Sequence, residues 1–408
     1  MNSKLIGGIL LVVGTTIGAG ILALPVATAQ LGFLGSMALL TGAWAVMTVC
    51  AFLFLEVTLL LPPNTNLISM AGATLGKPGQ FVAWGVYLLL LYSILCAYIA
   101  GGGDLFHYLL ASRGINLSAA MSSIIFTAVF GGIVYFGIRL VDYVNRGLMF
   151  GKMGAFLLLV LFILPFVSSN ALGGGGYTHS ITSASITVTA VAFGSLMIIP
   201  SLRTYFGEDV KSLRKAIFIG MFIPLICYIA WDLVIMGVIP FNGTPGLQEM
   251  LHSSSSNSDM VVALNAILKK DSVLMLAKFF TSICMTTSFL SISLCLSDFL
   301  SDGFGVEKKG KGNFLIFGVT FLPPILIVLF YPDAFIRALE YAGISCLILM
   351  ILLPALMAWR GRYGQNDLAF DGQGGQSAAY RVRGGKVLLA LLVVFATLLI
   401  VFGIGGAV

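Results

Sequence analysis

Long apolar blocks follow one another along this chain, and they constrain its fold more than any other feature of the sequence. A block of about 20 apolar residues is long enough to cross the hydrocarbon core of a bilayer as a helix. The strands of a membrane β-barrel would be shorter and would alternate in polarity, which these blocks do not. Because a backbone in lipid must satisfy its own hydrogen bonds, the pattern predicts an all-α membrane protein.

Eleven of these blocks qualify as transmembrane spans, and the polar connections between them are short. Charged residues make up only 9% of the 408 residues, against about 25% in soluble domains. So few charged residues cannot cover the water-facing surface of a globular domain, and this composition therefore excludes a soluble globular protein. The predicted spans cover residues 5–31, 33–61, 81–110, 119–138, 148–168, 184–205, 215–239, 273–300, 313–331, 334–358 and 385–406.

Lys and Arg concentrate in the connections on one side of the predicted membrane, including residues 211–215, 308–311 and 381–386. The positive-inside rule assigns that side to the cytoplasm. It therefore places the N-terminus inside and, after eleven spans, the C-terminus in the periplasm. The net charge of +6 follows from this topology, and we expect no nucleic acid partner.

Side chains that could carry catalysis or hold a metal do not cluster within the predicted spans. The six cysteines all lie in apolar blocks and form no CxxC pair, which is typical of small buried residues and not of a disulfide framework or metal site. The sequence places no Ser/His, Asp/Asp or His/Glu cluster at depth. We therefore expect neither an enzyme nor a bound metal or other cofactor.

Glycine and proline interrupt two of the spans near the middle of the membrane. The first span has Gly14, Gly18 and Gly20 ahead of a proline, and the sixth has Gly194 ahead of Pro200. Glycine lowers helix propensity and proline removes a hydrogen-bond donor. Non-helical backbone at this depth is tolerated where it lines a cavity. Close helix packing at small residues is the alternative, but the second, matching break favours a cavity.

The separation of the two broken spans predicts how the chain is organised. They lie five helices apart, and an odd number turns the second half upside down relative to the first. Each half would begin with a broken helix, which is the pattern of transporters built from inverted repeats. We therefore expect halves at residues 1–168 and 184–358, with an extra C-terminal helix at 385–406.

A pair of broken helices can bind both charged ends of a zwitterion. The amides that begin a half-helix suit a carboxylate, because the helix dipole is positive there. We expect these donors to be the backbone amides of Ala19, Gly20 and Ile21. The carbonyls that end the preceding half-helices suit an ammonium group. These acceptors would be the carbonyls of Thr15, Thr16, Ala192 and Phe193.

Several motifs in the same order resemble the hydroxy/aromatic amino acid permease family, and within it the tyrosine-specific members most. They are GTTIGAGILALP in span 1, FLFLEV in span 2, AYIAGGGDL in span 3, LVDYVNRGLMFGK before span 5, TSFLSISLCLSDFLSD in span 8, FLPPILIVLFYP in span 9, ALEYAGIS in span 10 and RVRGGK before span 11. The resemblance implies a leucine-transporter-like fold, within the amino acid–polyamine–organocation superfamily. It also implies proton-coupled import of amino acids across the bacterial inner membrane.

The break in span 6 departs from the family pattern at the positions that usually set specificity. Leu196 stands where the tyrosine permease has a histidine, and Met197 stands where it has a glycine. Together with the resemblance, the break sequences suggest a set of pocket residues. They are Gly18, Tyr92, Gly194, Ser195, Leu196 and Ser288, with Tyr98 as a further candidate wall.

Two ionisable residues are candidates for coupling transport to protons. In proton-coupled relatives, a span 5 lysine reaches the place where sodium lies in sodium-coupled members, and Lys152 stands at that position here. A lysine there could alternate between charged and neutral forms, although a cytoplasmic anchor is the plainer interpretation. Asp232 is the acid deepest in a span, where it could couple, contact substrate or simply pair with another helix. The span 8 hydroxyls Ser288 and Ser291 are candidates to face the break.

These features together predict a proton-coupled importer of aromatic amino acids, tyrosine first and then tryptophan or phenylalanine, that works by alternating access. A sodium-coupled transporter of a small neutral or hydroxy amino acid such as serine is the main alternative. A metal-ion transporter of the same fold would need acidic, asparagine or methionine ligands at both breaks. A channel would give a passive flux that amino acids do not saturate. We expect the amino acid and the lipid bilayer as partners, and no obligate protein partner.

Overall fold

The computed structural model describes residues 3–62, 65–173, 180–207, 209–251, 253, 256–331, 334–364 and 380–407. Within these ranges the chain is helical and contains no strand. The α-helices are α1 (Ser3–Thr16), α2 (Gly20–Thr28), α3 (Gly32–Leu60), α4 (Leu67–Ala111), α5 (Ala119–Tyr135), α6 (Ile138–Ile163), α7 (Ser169–Gly173), α8 (Ser183–Ala192), α9 (Ile199–Phe206), α10 (Val210–Met236), α11 (Leu247–Leu251), α12 (Ser256–Leu268), α13 (Asp271–Phe304), α14 (Lys311–Phe330), α15 (Ala334–Leu347), α16 (Leu353–Tyr363) and α17 (Gly385–Ala407).

Helices cover each of the predicted spans. In the described part of the chain, nine helical stretches are long and apolar enough to cross a membrane by length and composition. One of these stretches, Gly20–Leu60, contains the second half of span 1 together with span 2. The shorter apolar helix Ala119–Tyr135 covers span 4. The prediction of an all-α membrane architecture is therefore confirmed.

Contacts between helix ends show which ends share a face of the bundle. The Lys4 Nζ donates to the Phe206 carbonyl at 3.4 Å, so α1 begins where α9 ends. We call this side the N-terminal face. At the other side, the Ser183 Oγ donates to the Gly403 carbonyl at 3.1 Å, so α8 begins where α17 ends. We call that side the opposite face.

Two helix boundaries differ from the hydropathy prediction for a physical reason. The fifth predicted span, 148–168, is covered by α6, which begins ten residues earlier at Ile138, after a turn at Gly137 with φ of 96°. The added turns are polar and so escape a search for apolar blocks. Likewise α4 begins at Leu67 and kinks at Gly76, where φ is 76°, before it enters the predicted third span.

The connection at 240–272 contains two helices, α11 and α12, that its polar composition does not predict. Asp104, near the end of α4, holds the start of α12 on the opposite face. The Ser258 N–H donates to Asp104 Oδ2 at 2.9 Å, and the Ser258 Oγ donates to Oδ1 at 2.5 Å. A carboxylate at a helix N-terminus is favourable because it pairs with free amides and the positive end of the dipole.

Both predicted helix breaks are present, and glycine rather than proline marks each of them. Helix α1 ends at Thr16 and α2 begins at Gly20, while Pro25 lies inside α2. Helix α8 ends at Ala192, and a 3-10 turn leads to α9, where proline is tolerated in the first turn. A Cβ on Gly20 would lie 3.6 Å from the Ala192 Cα, so the two breaks lie side by side.

A third irregularity lies next to the second break and has no counterpart in the predictions. Residues Ile348–Leu352, between α15 and α16, form a π-helical turn just before Pro354. Proline lacks an amide to continue the α-helical ladder, and π-turns often occur at functional sites. A Cβ on Gly194 would lie 3.5 Å from the Met350 Cε, so this turn packs directly against the break.

Candidate substrate site at the two helix breaks

The end of α1 leaves backbone carbonyls without intrahelical partners, as the end of any helix does. The carbonyl of Ile17 accepts a hydrogen bond from the Lys152 Nζ at 2.7 Å. Lys152 lies on α6 and is only 2% exposed. The predicted coupling lysine therefore reaches the first break and does not extend to the membrane surface.

A buried tyrosine joins the two breaks. The Tyr228 hydroxyl, on α10, lies 2.8 Å from the Thr16 carbonyl oxygen and 2.8 Å from the Ala192 carbonyl oxygen. The Tyr228 ring is fully buried and meets the Phe193 ring edge to face, with centroids 5.2 Å apart. Two of the carbonyls predicted to bind an ammonium group are thus bridged by one phenol.

One of the amides predicted to bind the substrate carboxylate already donates a hydrogen bond to a serine on α13. The Ala19 N–H donates to the Ser288 Oγ at 2.8 Å. A Cβ on Gly18 would lie 3.1 Å from the Ser288 Oγ and 3.8 Å from the Tyr98 hydroxyl. Gly18 therefore lets two polar side chains approach the backbone of the break.

The other residues whose backbone groups are predicted to form the site differ in their surroundings. The Ile21 N–H makes a long bond of 3.4 Å to the Gly18 carbonyl. Thr15 lies on an exposed face of α1, and its hydroxyl donates back to the Val12 carbonyl at 2.9 Å. Thr16 and Ala192 lie inside the bundle. The Thr16 and Ala192 carbonyls therefore face the Tyr228 hydroxyl inside the bundle, whereas the Thr15 side chain lies on the outer face of α1.

Two predicted side chains point to other helices. The Tyr92 hydroxyl donates to the Val319 carbonyl on α14 at 2.7 Å, and it is Tyr98, six residues further along α4, that reaches the break. Ser291 is exposed, and its hydroxyl accepts from the Asn145 side chain on α6 at 3.0 Å. The spacing of residues along a helix indicates which side chains share a face, but not which face meets the break.

The side chains that follow the second break divide between two environments. Ser195 and Leu196 line a small gap of about 10 Å³ against Val12, Ala51 and their neighbours. By contrast, Met197 lines a cavity of about 320 Å³ at the N-terminal face. Of the two departures from the family pattern, it is therefore Met197 and not Leu196 that faces open space.

The cavity lies between the N-terminal-face ends of α3, α4, α9 and α13 and rises to the second break. Aromatic rings and small polar groups both contribute to its wall. The lining residues are Phe54, Thr65, Asn66, Leu67, Ile68, Tyr87, Met197, Pro200, Ser201, Thr204 and Phe299. The cavity therefore lies at the N-terminal face and borders the segment that follows the second break.

Asp232 lies away from the lysine, nearer the opposite face. Its Oδ2 accepts from the Ser36 hydroxyl in a short contact and from the Thr28 hydroxyl at 3.3 Å. Its Oδ1 is buried and has no partner among the described residues. The carboxyl group thus links α10 by hydrogen bonds to the end of α2 and the start of α3.

A buried ion pair closes the N-terminal face beside the cavity. Glu56 of α3 accepts two bonds from the Arg362 guanidinium of α16, both at 2.6 Å, and the two side chains are 1% and 4% exposed. The Val382 N–H, in the segment before α17, donates to the same carboxylate at 2.8 Å.

At the same face, Arg203 of α9 donates to the carbonyls of Thr58 and Leu61 at the end of α3. Together these contacts join α3, α9, α16 and the segment before α17.

A helical membrane bundle whose two unwound segments meet at a polar, buried centre, with a cavity leading to one face, defines a transport protein rather than an enzyme. The comparisons with known proteins agree with this class. The tryptophan/tyrosine permease family matches residues 1–403, and the chain belongs to that family.

Individual relatives resemble the chain along nearly its whole length. The tyrosine-specific transport system 1 of Haemophilus influenzae is 32% identical, over 97% of this chain and 96% of that protein. The glutamine transporter 2 of Aliivibrio fischeri is 29% identical, over 98% and 99%. A crystal structure of the Eremococcus coleocola manganese transporter, with an aromatic bis-isothiourea compound, aligns with a TM-score of 0.62 at 13% identity, over 99% of this chain and 86% of that one. This last likeness shows a shared transporter fold.

Proposed function

We propose that the chain imports aromatic amino acids, tyrosine first and then tryptophan or phenylalanine, together with protons across the bacterial inner membrane. Membership of the tryptophan/tyrosine permease family supports the substrate class. The tyrosine-specific system of Haemophilus influenzae is among the similar relatives. Because a glutamine transporter is similar too, glutamine belongs among the candidate substrates.

The single observation that carries the coupling proposal is the hydrogen bond from Lys152 to the Ile17 carbonyl. A carbonyl that ends a half-helix in the membrane is a natural cation ligand, and here it receives an ammonium group from the protein itself. A buried ammonium held this way is costly unless it is well paired. Loss of its proton would remove the charge and weaken the tie between α6 and α1. Proton binding and release at Lys152 would thereby bias the position of α1.

Alternating access would then be motion of one set of helices against another. We assign residues 1–168 and 184–358 to two inverted halves, and 385–406 to an added helix. In this arrangement spans 1, 2, 6 and 7 rock against spans 3–5 and 8–10. The contacts Lys152–Ile17 and Ser288–Ala19 cross between these sets, so they would break or reform during transport.

The N-terminal face would be cytoplasmic, with the C-terminus periplasmic, because the basic connections lie on that side. The cavity at this face would then be the path by which substrate leaves for the cytoplasm. The ammonium of the substrate would lie at the carbonyls of Thr16, Ala192 and Phe193, and its carboxylate at the amides of Ala19, Gly20 and Ile21.

Uptake into proteoliposomes tests the substrate and the coupling ion separately. Purified protein would be given labelled tyrosine, tryptophan, phenylalanine, serine or glutamine under an imposed pH gradient or an imposed sodium gradient. We expect saturable, concentrative uptake of the aromatic amino acids that follows the pH gradient alone. Accumulation of serine or glutamine that follows sodium and ignores pH would instead establish the sodium-coupled alternative.

A further inference from the structure

The two backbone regions of the proposed site are already satisfied by side chains of complementary chemistry. Where the substrate ammonium would bind, the Tyr228 hydroxyl donates to carbonyls, 2.8 Å from the oxygens of both Thr16 and Ala192. Where its carboxylate would bind, the Ser288 hydroxyl accepts from the Ala19 N–H at 2.8 Å. Both side chains are buried, so neither polar contact is exchanged freely with bulk water.

We propose that the Tyr228 and Ser288 hydroxyls stand in for the ammonium and the carboxylate of the amino acid while the site is empty, and that binding displaces them. This inference rests on the proposed function, because it concerns the same site. It adds a role for two side chains that set affinity by competing with the substrate.

The number of available hydrogens explains why the substrate can displace the tyrosine. A phenol has one donor hydrogen, so it can only share it between the Thr16 and Ala192 carbonyls. An ammonium group has three donors and a positive charge, so it can bond to both carbonyls at once and more strongly. A carboxylate is likewise a stronger acceptor for the Ala19 amide than a neutral serine hydroxyl.

The purpose of such stand-ins follows from where the groups lie. Unwound backbone inside a membrane protein has no lipid partner, and each unsatisfied buried polar group is costly. The hydroxyls keep the empty breaks folded, at the expense of some substrate affinity. Because removal of a stand-in destabilises the empty state more than the bound state, it should tighten binding.

Binding of three related ligands to the purified full chain tests whether each hydroxyl competes with only one charged group of the substrate. Tyrosine carries both charged groups, tyramine lacks the carboxylate, and desaminotyrosine lacks the ammonium. Tyr228→Phe should lower the Kd of tyrosine and tyramine by about 2- to 10-fold, the worth of one hydrogen bond, and leave desaminotyrosine unchanged. Ser288→Ala should do the same for tyrosine and desaminotyrosine and leave tyramine unchanged.

Two matched variants control for the loss of a hydroxyl as such. Tyr92→Phe removes a hydroxyl that bonds to the Val319 carbonyl, and Ser291→Ala removes one that contacts Asn145. Both should lower thermal stability slightly and leave all three affinities unchanged. If one of the two test variants does not fold, the other still tests whether its hydroxyl competes with the ammonium or the carboxylate of the substrate.

Weaker or equal binding of tyrosine by Tyr228→Phe or Ser288→Ala would overturn the inference, because it would mean that the hydroxyl stays and supports the bound ligand. If the wild-type chain binds glutamine but no aromatic amino acid, the aromatic assignment fails. Tyr228→Phe and Ser288→Ala should then tighten the binding of glutamine, and unchanged or weaker binding would overturn the inference. Absence of binding by any amino acid would overturn both.

Discussion

The Lys152 Nζ lies 2.7 Å from the carbonyl oxygen of Ile17, so a cationic side chain of α6 meets the backbone where α1 ends. The lysine is buried within the membrane-spanning part of the protein. Its contact with the break places a titratable group directly on a helix that the proposed mechanism requires to move.

Replacement of Lys152 by methionine should uncouple transport from protons. A pH gradient of one unit can drive about tenfold accumulation for each proton carried, and the wild-type chain should approach this value. Lys152→Met should bring tyrosine only to equal concentrations on both sides, because no group remains to carry the proton. Counterflow of tyrosine without a gradient should persist. Uptake into proteoliposomes with a set pH difference measures both.

A second lysine provides the matched control for Lys152. Lys278 also lies in a spanning helix, but its Nζ contacts the Tyr108 ring, 4.7 Å from the centroid, and not a break. Lys278→Met should retain pH-driven accumulation. Concentrative uptake that survives Lys152→Met as well as it survives Lys278→Met would remove Lys152 from the coupling role.

Asp232 should act through its hydrogen bonds rather than through its charge. Asp232→Asn keeps an acceptor for the hydroxyls of Ser36 and Thr28, and we expect it to retain pH-driven accumulation. Asp232→Ala removes this acceptor and leaves the two hydroxyls only the Leu24 carbonyl and each other, which should cost about 1 kcal/mol of stability. Thermal unfolding in detergent and uptake measure the two effects. Loss of pH-driven accumulation in Asp232→Asn, with normal folding, would instead make this acid a coupling residue.

The buried pair of Glu56 and Arg362 should matter far more for stability than an exposed pair. Glu56→Gln leaves an uncompensated guanidinium in a site that is almost fully closed, and removing one partner of a buried pair costs about 3–5 kcal/mol. The ion pair of Lys309 with Glu307 is 86% and 78% exposed, so Glu307→Gln should cost less than about 1 kcal/mol. Thermal unfolding of the two variants compares them directly. Equal, small losses would show that the buried pair does not hold this face together.

The sidedness of the site can be tested with introduced cysteines. Ser201 lines the cavity at the N-terminal face, and Asn116 is exposed beyond the end of α4, at the opposite face. We expect a membrane-impermeant thiol reagent to label Ser201→Cys only from the cytoplasmic side and Asn116→Cys only from the periplasmic side. The native cysteines are buried or half-buried and set the background. The reverse pattern would contradict the proposed orientation.

The fold could be predicted from the sequence wherever a feature has a strong physical signature. Apolar length alone located the spans, because lipid demands it. Glycine at mid-membrane depth located both breaks, and the family resemblance pointed to Lys152. Features without such a signature could not be predicted. The helices α11 and α12 lie in a stretch of polar composition, and nothing in the apolar sequence of Ile348–Leu352 marks a π-turn.

The backbone groups at the two breaks could be located from the sequence, whereas the orientation of the side chains around them could not. A break defines which carbonyls and amides are free, so Thr16 and Ala19 follow from the sequence. Tyr228 was missed because a tyrosine in an apolar span usually packs in the core or faces lipid, and nothing local marks one that bridges two breaks. The sequence does not separate Tyr92 from Tyr98 as the pocket wall, because a single sequence gives no rotation of α4 about its own axis.

Proton flux driven by the substrate tests the central claim most directly. Proteoliposomes would contain a trapped pH-sensitive dye, with equal pH on both sides and no sodium, and tyrosine would be added outside. We predict that tyrosine entry acidifies the interior with saturable dependence on its concentration, and that Lys152→Met abolishes the acidification. Entry of tyrosine without any change of internal pH, or only when sodium is present, would contradict proton-coupled import.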